Sequence, residues 1–275
     1  MEELRDTNEG TVSHPHPSGV IRRTRPVIAI DGPAGAGKST LAAHLARRFG
    51  FLNLETGAMY RALALSAIEG DLSFEEEEPL LALAERTRIA LEPQLDGNRV
   101  LLNGIDVSRR IRDADVTSGA SQISVHPHLR AWMVVQQRAL GELGGVVMEG
   151  RDIGTAVFPD AEVKIFLDAA PEVRGNRRYR QAVPEIHAAG GTREEPARPE
   201  TKPDAEAAER QRLARQAVID ELRERDRRDR NRAESPLRPA ENAVILDSTA
   251  MTLEQVLAEA ERIVRGHLSV EQPGG

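Results

Sequence analysis

The chain has 275 residues, enough for a sizeable core and one or two domains. Its formal charge of −7 excludes a chain-wide attraction to nucleic acid, so any polyanion must be met by a local cluster of Arg and Lys. Cysteine is absent, which excludes disulfides, thiol catalysis and Cys-type zinc sites.

No apolar stretch reaches the length of a membrane span, and the N-terminus has no apolar h-region, so the expectation is a soluble cytoplasmic protein. Residues 1–25 are polar and aperiodic and are expected to be a disordered tail. Val27 to Ile30 then makes a short apolar run that suits a buried strand. Gly32 to Ser39 fits G-x-x-x-x-G-K-[ST], the phosphate-binding loop. Leu41, Leu45 and Phe49 follow at helical spacing, and Gly50 is placed to end that helix. Strand, loop and helix stand in the order that a P-loop requires. Its glycines let backbone N–H groups turn toward phosphate oxygens, and the helix N-terminus adds its positive dipole end. Gly32, Pro33, Ala34, Gly35, Ala36, Gly37, Lys38, Ser39 and Thr40 are therefore the expected nucleoside-triphosphate-binding residues, with Lys38 on the β- and γ-phosphates and Ser39 on Mg²⁺.

Phe51 to Leu54 is a second strand, and Thr56 stands as N-cap of an amphipathic helix through Tyr60, Leu63, Ala64, Ala67 and Ile68, closed by Gly70. Tyr60 and Arg61, in its first turn, lie where parallel sheets bind ligands, although core and solvated surface describe them equally well. The acidic run Glu75 to Glu78 reads as a solvated helix start. The pattern then changes. Ile89 and Leu91, Val100 to Leu102, and Ile105 with Val107 are separated by Asp96-Gly97 and Asn103-Gly104, which predicts antiparallel hairpins within a β-rich insert over 71–124.

Helices resume over Asp113 to Ser124 and after Pro127, and Val146 to Met148 is a third parallel strand. It runs into Glu149-Gly150-Arg151-Asp152, a charged cluster at the place where α/β sheets open their ligand crevice. Val163 to Leu167 is a fourth strand, and a helix from Pro171 to Gln181 carries Arg174, Arg177, Arg178 and Arg180. Pro184 to Pro203 is expected to be a mobile loop. A long charged helix follows from Ala205 to Arg232, and six of its last ten residues are Arg. Val244 to Leu246 is the fifth strand, and Thr252 with Gln255 forms a capping box for a final helix. The expected fold is α/β: three layers, with a five-stranded parallel sheet covered on both faces.

A P-loop binds a nucleoside triphosphate without saying what happens next. The guanine-reading N-K-x-D motif of regulatory GTPases is missing. The excess of Arg over 174–232 suits a lid that closes on phosphates, because Arg is always charged and presents a planar fork. The alternatives are a solvated helix with pairs such as Arg225–Asp229, or a nucleic-acid arm, against which Asp226, Asp229 and the lack of aromatics argue.

These residues carry a resemblance. I-D-G-P-A-G-A-G-K-S-T, T-G-A-M-Y-R, A-S-Q-I-S, E-G-R-D-I-G-T-A-V-F-P-D-A, V-K-I-F-L-D-A, and E-R-D-R-R-D-R-N-R-A followed by S-P-L resemble the bacterial cytidylate kinases of the nucleoside-monophosphate kinase group. They spread over nearly all of residues 26–265. The resemblance implies one kinase domain over 26–268 with a monophosphate-side insert at 71–124, a lid region at 174–232 and a short tail at 269–275. It implies transfer of the ATP γ-phosphate to CMP or dCMP, with Mg²⁺, by a monomer that binds neither nucleic acid nor membrane. It gives Ser121, Arg130 and Asp152 to the cytosine edge and Arg225 and Asp229 to the ribose. Tyr60, Arg61, Arg151 and Arg232 go to the acceptor phosphate, with Glu149 nearby, and Thr56 is a further substrate-binding residue. Arg177 and Arg178 go to the ATP-side lid. Lys38 and the arginines Arg151, Arg177, Arg178 and Arg232 would carry catalysis, with no general base. Another acceptor, such as UMP, AMP or a small alcohol, is the enzymatic alternative, and a nucleotide-dependent switch is the non-enzymatic one.

Overall fold

The computed structural model describes residues 23–94, 97–182 and 205–270. The expected tails and the loop from Pro184 to Pro203 lie outside them, apart from Arg23 to Arg25 and residues 269–270.

The chain's apolar runs become a parallel sheet whose centre is shielded on both faces. Strands β1 (Val27–Asp31), β2 (Leu52–Glu55), β6 (Val146–Gly150), β7 (Val163–Asp168) and β8 (Val244–Asp247) lie in the order β2-β6-β1-β7-β8. All four pairings are parallel. Every residue of β1 and β6 is buried, which is why both read as continuous apolar runs rather than alternating ones. The two faces of β1 feed two separate cores. Val27 and Ala29 join Met59, Leu63, Leu129 and Met133, whereas Ile28 and Ile30 join Leu41, Leu45, Ala260 and Val264.

Helix α1 (Lys38–Phe49) and the last helix, α8 (Leu253–Val270), cover the second face. Gly50 closes α1 in the left-handed region at φ 66°. The Thr252–Gln255 capping box forms reciprocally, with N···O distances of 2.9 and 3.3 Å. Helices α2 (Thr56–Glu69), α3 (Glu77–Glu85), α4 (Ala114–Ile123) and α5 (Pro127–Gly141) pack on the first face.

Three local expectations are corrected. Thr56 is not a cap but the first helical residue, and its hydroxyl donates across to the Glu149 carbonyl of β6 at 2.7 Å. Helix α2 is not amphipathic, since Ala58, Met59, Ala62, Leu63, Ala64, Leu65 and Ala67 are all buried between the sheet and the insert. Glu77, within the acidic run, is not merely solvated: its carboxylate accepts the His128 and Leu129 backbone N–H groups and so caps the start of α5.

The insert holds a three-stranded antiparallel sheet, β3 (Ile89–Gln94), β4 (Gly97–Leu102) and β5 (Ile105–Asp106). Asn103 and Gly104 make the β4–β5 turn with φ of 51° and 86°, the geometry that Asn-Gly favours. Buried Asn98 ties this sheet to the main one, accepting the Glu55 N–H at 3.0 Å and donating to the Asn53 carbonyl at 2.7 Å.

The remaining helices, α6 (Pro171–Ala182) and α7 (Ala205–Asn231), lie against each other beside the P-loop. A Cβ at Gly175 would stand 2.3 Å from Ile219 Cγ1, so only glycine permits this approach. Among the described residues no helix is long and apolar enough to cross a membrane.

Candidate active site

All five parallel strands bring an acidic residue to their C-terminal ends: Asp31, Glu55, Glu149, Asp168 and Asp247. The P-loop leaves β1 at the point where the chain's connections diverge to either side, the usual ligand crevice of such sheets. Gly32 and Gly37 hold φ of 150° and 101°, and a Cβ on Gly32 would lie 2.0 Å from the Leu167 carbonyl oxygen. Lys38 is buried, and its Nζ donates to the Pro33 carbonyl at 2.8 Å. Burial, with Arg151 adding to it, pushes the Lys38 ammonium down to about 7, while Glu149 and Asp31 pull it back up.

A cleft of 610 Å³ opens over the loop. Gly35 to Thr40 form its floor, Arg61, Arg177, Arg178 and Arg225 face it, and Met251, Leu253, Val256 and Leu257 make an apolar wall. The structure thus brings together the loop and four of the sequence-predicted arginines. Arg112 and the apolar wall also line the cleft and were not anticipated. Arg112 sits on a short 3₁₀ turn, Arg110–Arg112, which carries no motif. Arg177 is held by Ser248, through its hydroxyl at 3.0 Å and its carbonyl at 2.8 Å. Arg225 is pushed down to about 10 by burial and by the neighbouring Arg151 charge, and its Nε has no hydrogen-bond partner among the described residues.

On the acceptor side Arg61 pairs with Glu55 at 2.6 Å. Burial alone would raise the Glu55 carboxyl, but Arg61 outweighs it and holds the group below its ordinary value. Glu149 is pushed the other way, by burial and by the Glu55 charge. Its Oε1 is buried without a partner among the described residues.

Arg130, Asp152, Asp229 and Arg232 are buried with their charges acting on Tyr60, and Ser121 is buried as well. Arg130 forms an ion pair with Asp152, donates to the Ser124 carbonyl at 3.1 Å and lies 5.7 Å from the Tyr60 ring centroid. Burial pushes the Tyr60 hydroxyl up to about 12. Asp229 lies between Arg151 at 2.9 Å and Arg232 at 3.5 Å, not with Arg225 as the solvated-helix alternative had it. Ser121 Oγ and Arg130 Nε are buried with no partner among the described residues. Ser124 links the two residues, its hydroxyl donating to the Ser121 carbonyl at 3.0 Å and its carbonyl accepting from Arg130. Buried polar atoms are ordinarily satisfied, so two left open on linked residues mark a place prepared for a polar ligand.

The arginine-rich end of α7 therefore has two faces. Arg225, Asp226, Asp229 and Arg232 turn inward, whereas Arg223 and Arg227 pair outward with Glu172 and Glu224. Arg174, on the predicted lid helix, is buried structure. It donates to the Ala34 carbonyl of the P-loop and to the Ala169 carbonyl, both at 2.8 Å, and pairs with Asp226.

Against this geometry, comparison with known proteins is specific. The family model for cytidylate kinase matches residues 28–195 and 197–266. The cytidylate kinase of Solibacter usitatus (strain Ellin6076) is 44% identical over 248 residues, 90% of this chain and 96% of that protein. Those of Aeromonas salmonicida (strain A449) and Geobacter sp. (strain M21) are 42% and 39% identical, covering 85% and 93% of this chain and 91% and 99% of their own. The chain belongs to the cytidylate kinase family.

Proposed function

We propose that the chain transfers the γ-phosphate of ATP to the phosphate of CMP or dCMP, releasing ADP and CDP or dCDP. The observation that carries the choice of base is the buried Arg130–Asp152 pair, with Arg130 Nε unpartnered and Ser121, linked to Arg130 through Ser124, holding an unpartnered Oγ. Cytosine offers an exocyclic amine that donates and a ring nitrogen and carbonyl that accept. A carboxylate next to a guanidinium complements that edge. Uracil would turn its 4-oxygen toward the Asp152 carboxylate and leave buried groups unpaired, a mismatch that sites of this kind reject strongly.

Phosphoryl transfer is largely positioning and charge stabilisation. The acceptor phosphate is already anionic, so no side chain need remove a proton. Lys38 and the P-loop N–H groups hold the donor phosphates. Arg61, Arg151 and Arg232, with Tyr60 and Thr56, hold the acceptor, while Arg177 and Arg178 meet the transferred group from the lid side and Arg225 and Asp229 hold the ribose. These residues converge on one cleft and its inner extension, which supports the assignment. The donor set also fits Mg²⁺. Ser39 lines the cleft and the partnerless Glu149 Oε1 is a buried carboxylate oxygen beside it, as suits an ion held mainly by substrate phosphates. When bound, that ion supplies charge neutralisation on the β- and γ-phosphates.

Two measurements test this reading. ADP release from Mg-ATP should begin on addition of CMP or dCMP; steady ATP hydrolysis without any acceptor would favour the switch alternative. Binding of ATP should also take up a proton above about pH 7, because phosphates restore the charge that burial removes from Lys38. ATP affinity should accordingly fall as pH rises from about 7. Calorimetric titration in two buffers of different ionisation heat reads the proton directly, and identical heats in both would contradict the assignment of Lys38.

A further inference from the structure

Asp31 stands between the first apolar run and Gly32, where spacing alone assigns it no role. In the structure it is buried, and its two carboxylate oxygens accept the backbone N–H groups of Ile153 at 2.8 Å and Gly154 at 2.7 Å. Those residues open a single π-helical turn, Ile153–Val157, directly after Arg151 and Asp152. Such turns are rare and cluster at functional sites. The other end of the turn is held as well. Arg138 donates to the carbonyls of Val157 at 2.9 Å and Ala156 at 2.6 Å. Lys164, on the strand beside β1, packs its stem against Gly154, and its Nζ donates to the Pro159 carbonyl and to Asn242 at 2.8 Å. A Cβ on Gly154 would stand 3.3 Å from Asp31 Oδ2 and 3.2 Å from Lys164 Cδ, so the turn is seated tightly on that carboxylate.

We infer that Asp31 is a positioning residue for acceptor recognition: through Ile153 and Gly154 it fixes the turn that sends Asp152 to Arg130 and Arg151 to Asp229. The same residue precedes Gly32, so one side chain joins the donor loop to the acceptor-reading turn. The sheet explains why a carboxylate suits the place. Two N–H groups at the start of a helical turn need two acceptor oxygens, and a carboxylate offers both in one rigid plane. Burial, only partly offset by these two bonds, pushes the Asp31 carboxyl up to about 6, so the group sits at a place that holds an anion at some cost. The inference rests on CMP as acceptor.

The test compares the wild type with Asp31→Asn, which keeps the shape but offers only one acceptor oxygen, and with Gly154→Ala, which keeps both oxygens and pushes the turn off them. In both variants KM for CMP should rise by at least ~10-fold, and the CMP-over-UMP ratio of kcat/KM should fall, because misplacing a binding group by about 1 Å can cost up to about 10²-fold. KM for ATP should change less than KM for CMP, since the P-loop's hydrogen bonds are untouched and Asp31 acts on Lys38 only through its charge, the last and smallest of the influences on that lysine; in Gly154→Ala that charge stays, and KM for ATP should hold. Unchanged CMP KM and unchanged selectivity overturn the inference. So does an equal loss for ATP and CMP, which would make Asp31 a support of the P-loop only. If Asp31→Asn fails to fold, Gly154→Ala decides between the same outcomes. A wild type that leaves CMP unphosphorylated overturns the acceptor reading, and the inference with it; an active wild type with unaltered variants overturns the inference alone.

Discussion

Replacing Lys38 with alanine is expected to lower kcat by at least ~10²-fold, the scale of losing one preorganised electrostatic group. Lys38 starts α1 with its ammonium buried 2.8 Å from the Pro33 carbonyl, and the arginines around the cleft lie on its other sides. Arg174 and Arg177 touch the loop only at its carbonyls, Ala34 at 2.8 Å and Ala36 at 3.5 Å, and are otherwise held by Asp226 and Ser248, so neither is free to replace the Lys38 ammonium. The loss should fall on kcat more than on folding. A lysine whose folded value is depressed to about 7 is penalised in its charged form. The wild type therefore gains stability as pH rises from about 7 toward 10.5, and pays the full penalty below about 7. The alanine variant escapes that penalty, so its melting temperature relative to wild type should improve on going from about pH 9 to about pH 7. Wild-type turnover in a folded Lys38→Ala protein would sink the P-loop assignment.

The second large effect concerns the Arg130–Asp152 pair, with side chains 3% and 7% exposed. Asp152→Ala strands a buried guanidinium, and breaking such a pair costs about 3–5 kcal/mol. At about 2–4 °C per kcal/mol for a chain of this size, that is a fall in Tm of roughly 10 °C. Replacing both partners, as in Arg130→Met with Asp152→Ala, removes the uncompensated charge and should return most of the stability. Preference for CMP over UMP should stay lost in the double variant. The cycle thus separates folding from recognition: stability that recovers without selectivity is the expected pattern. A double variant that regains both, measured by thermal melts and kcat/KM ratios, would show that the base is read elsewhere.

Much of this architecture is legible in the residues, for local reasons. Val27 to Lys38 announces itself because a P-loop needs a fixed spacing within one segment, and the central strands read as unbroken apolar runs because both faces are covered. What was missed is non-local. Thr56 looks like a cap until Glu149, 93 residues away, takes its hydroxyl. Asp31 looks like a strand end until Ile153, 122 residues away, donates to it. The arginine run shows helical spacing, yet spacing alone does not say which face turns inward. Arg174 and Arg177 are one turn apart on the same helix, and only packing against Gly35 and Ser248 makes the first a buried tie and the second a wall of the cleft. Arg112 reaches the cleft because the insert folds back over β2 through Asn98, a contact that nothing in its own neighbourhood signals.

The most direct test of the central claim is a single mixture of Mg-ATP with CMP, dCMP, UMP, AMP and GMP at equal concentrations, with products separated by anion-exchange chromatography. CDP and dCDP should appear ahead of UDP and GDP, with ADP equal to the sum of the other diphosphates; ADP in excess of that sum without inorganic phosphate would mean that AMP is an acceptor. Equal or faster formation of UDP would contradict the reading of Arg130, Asp152 and Ser121 as the cytosine site, and ADP with inorganic phosphate as the only new products would contradict phosphoryl transfer to a nucleotide altogether.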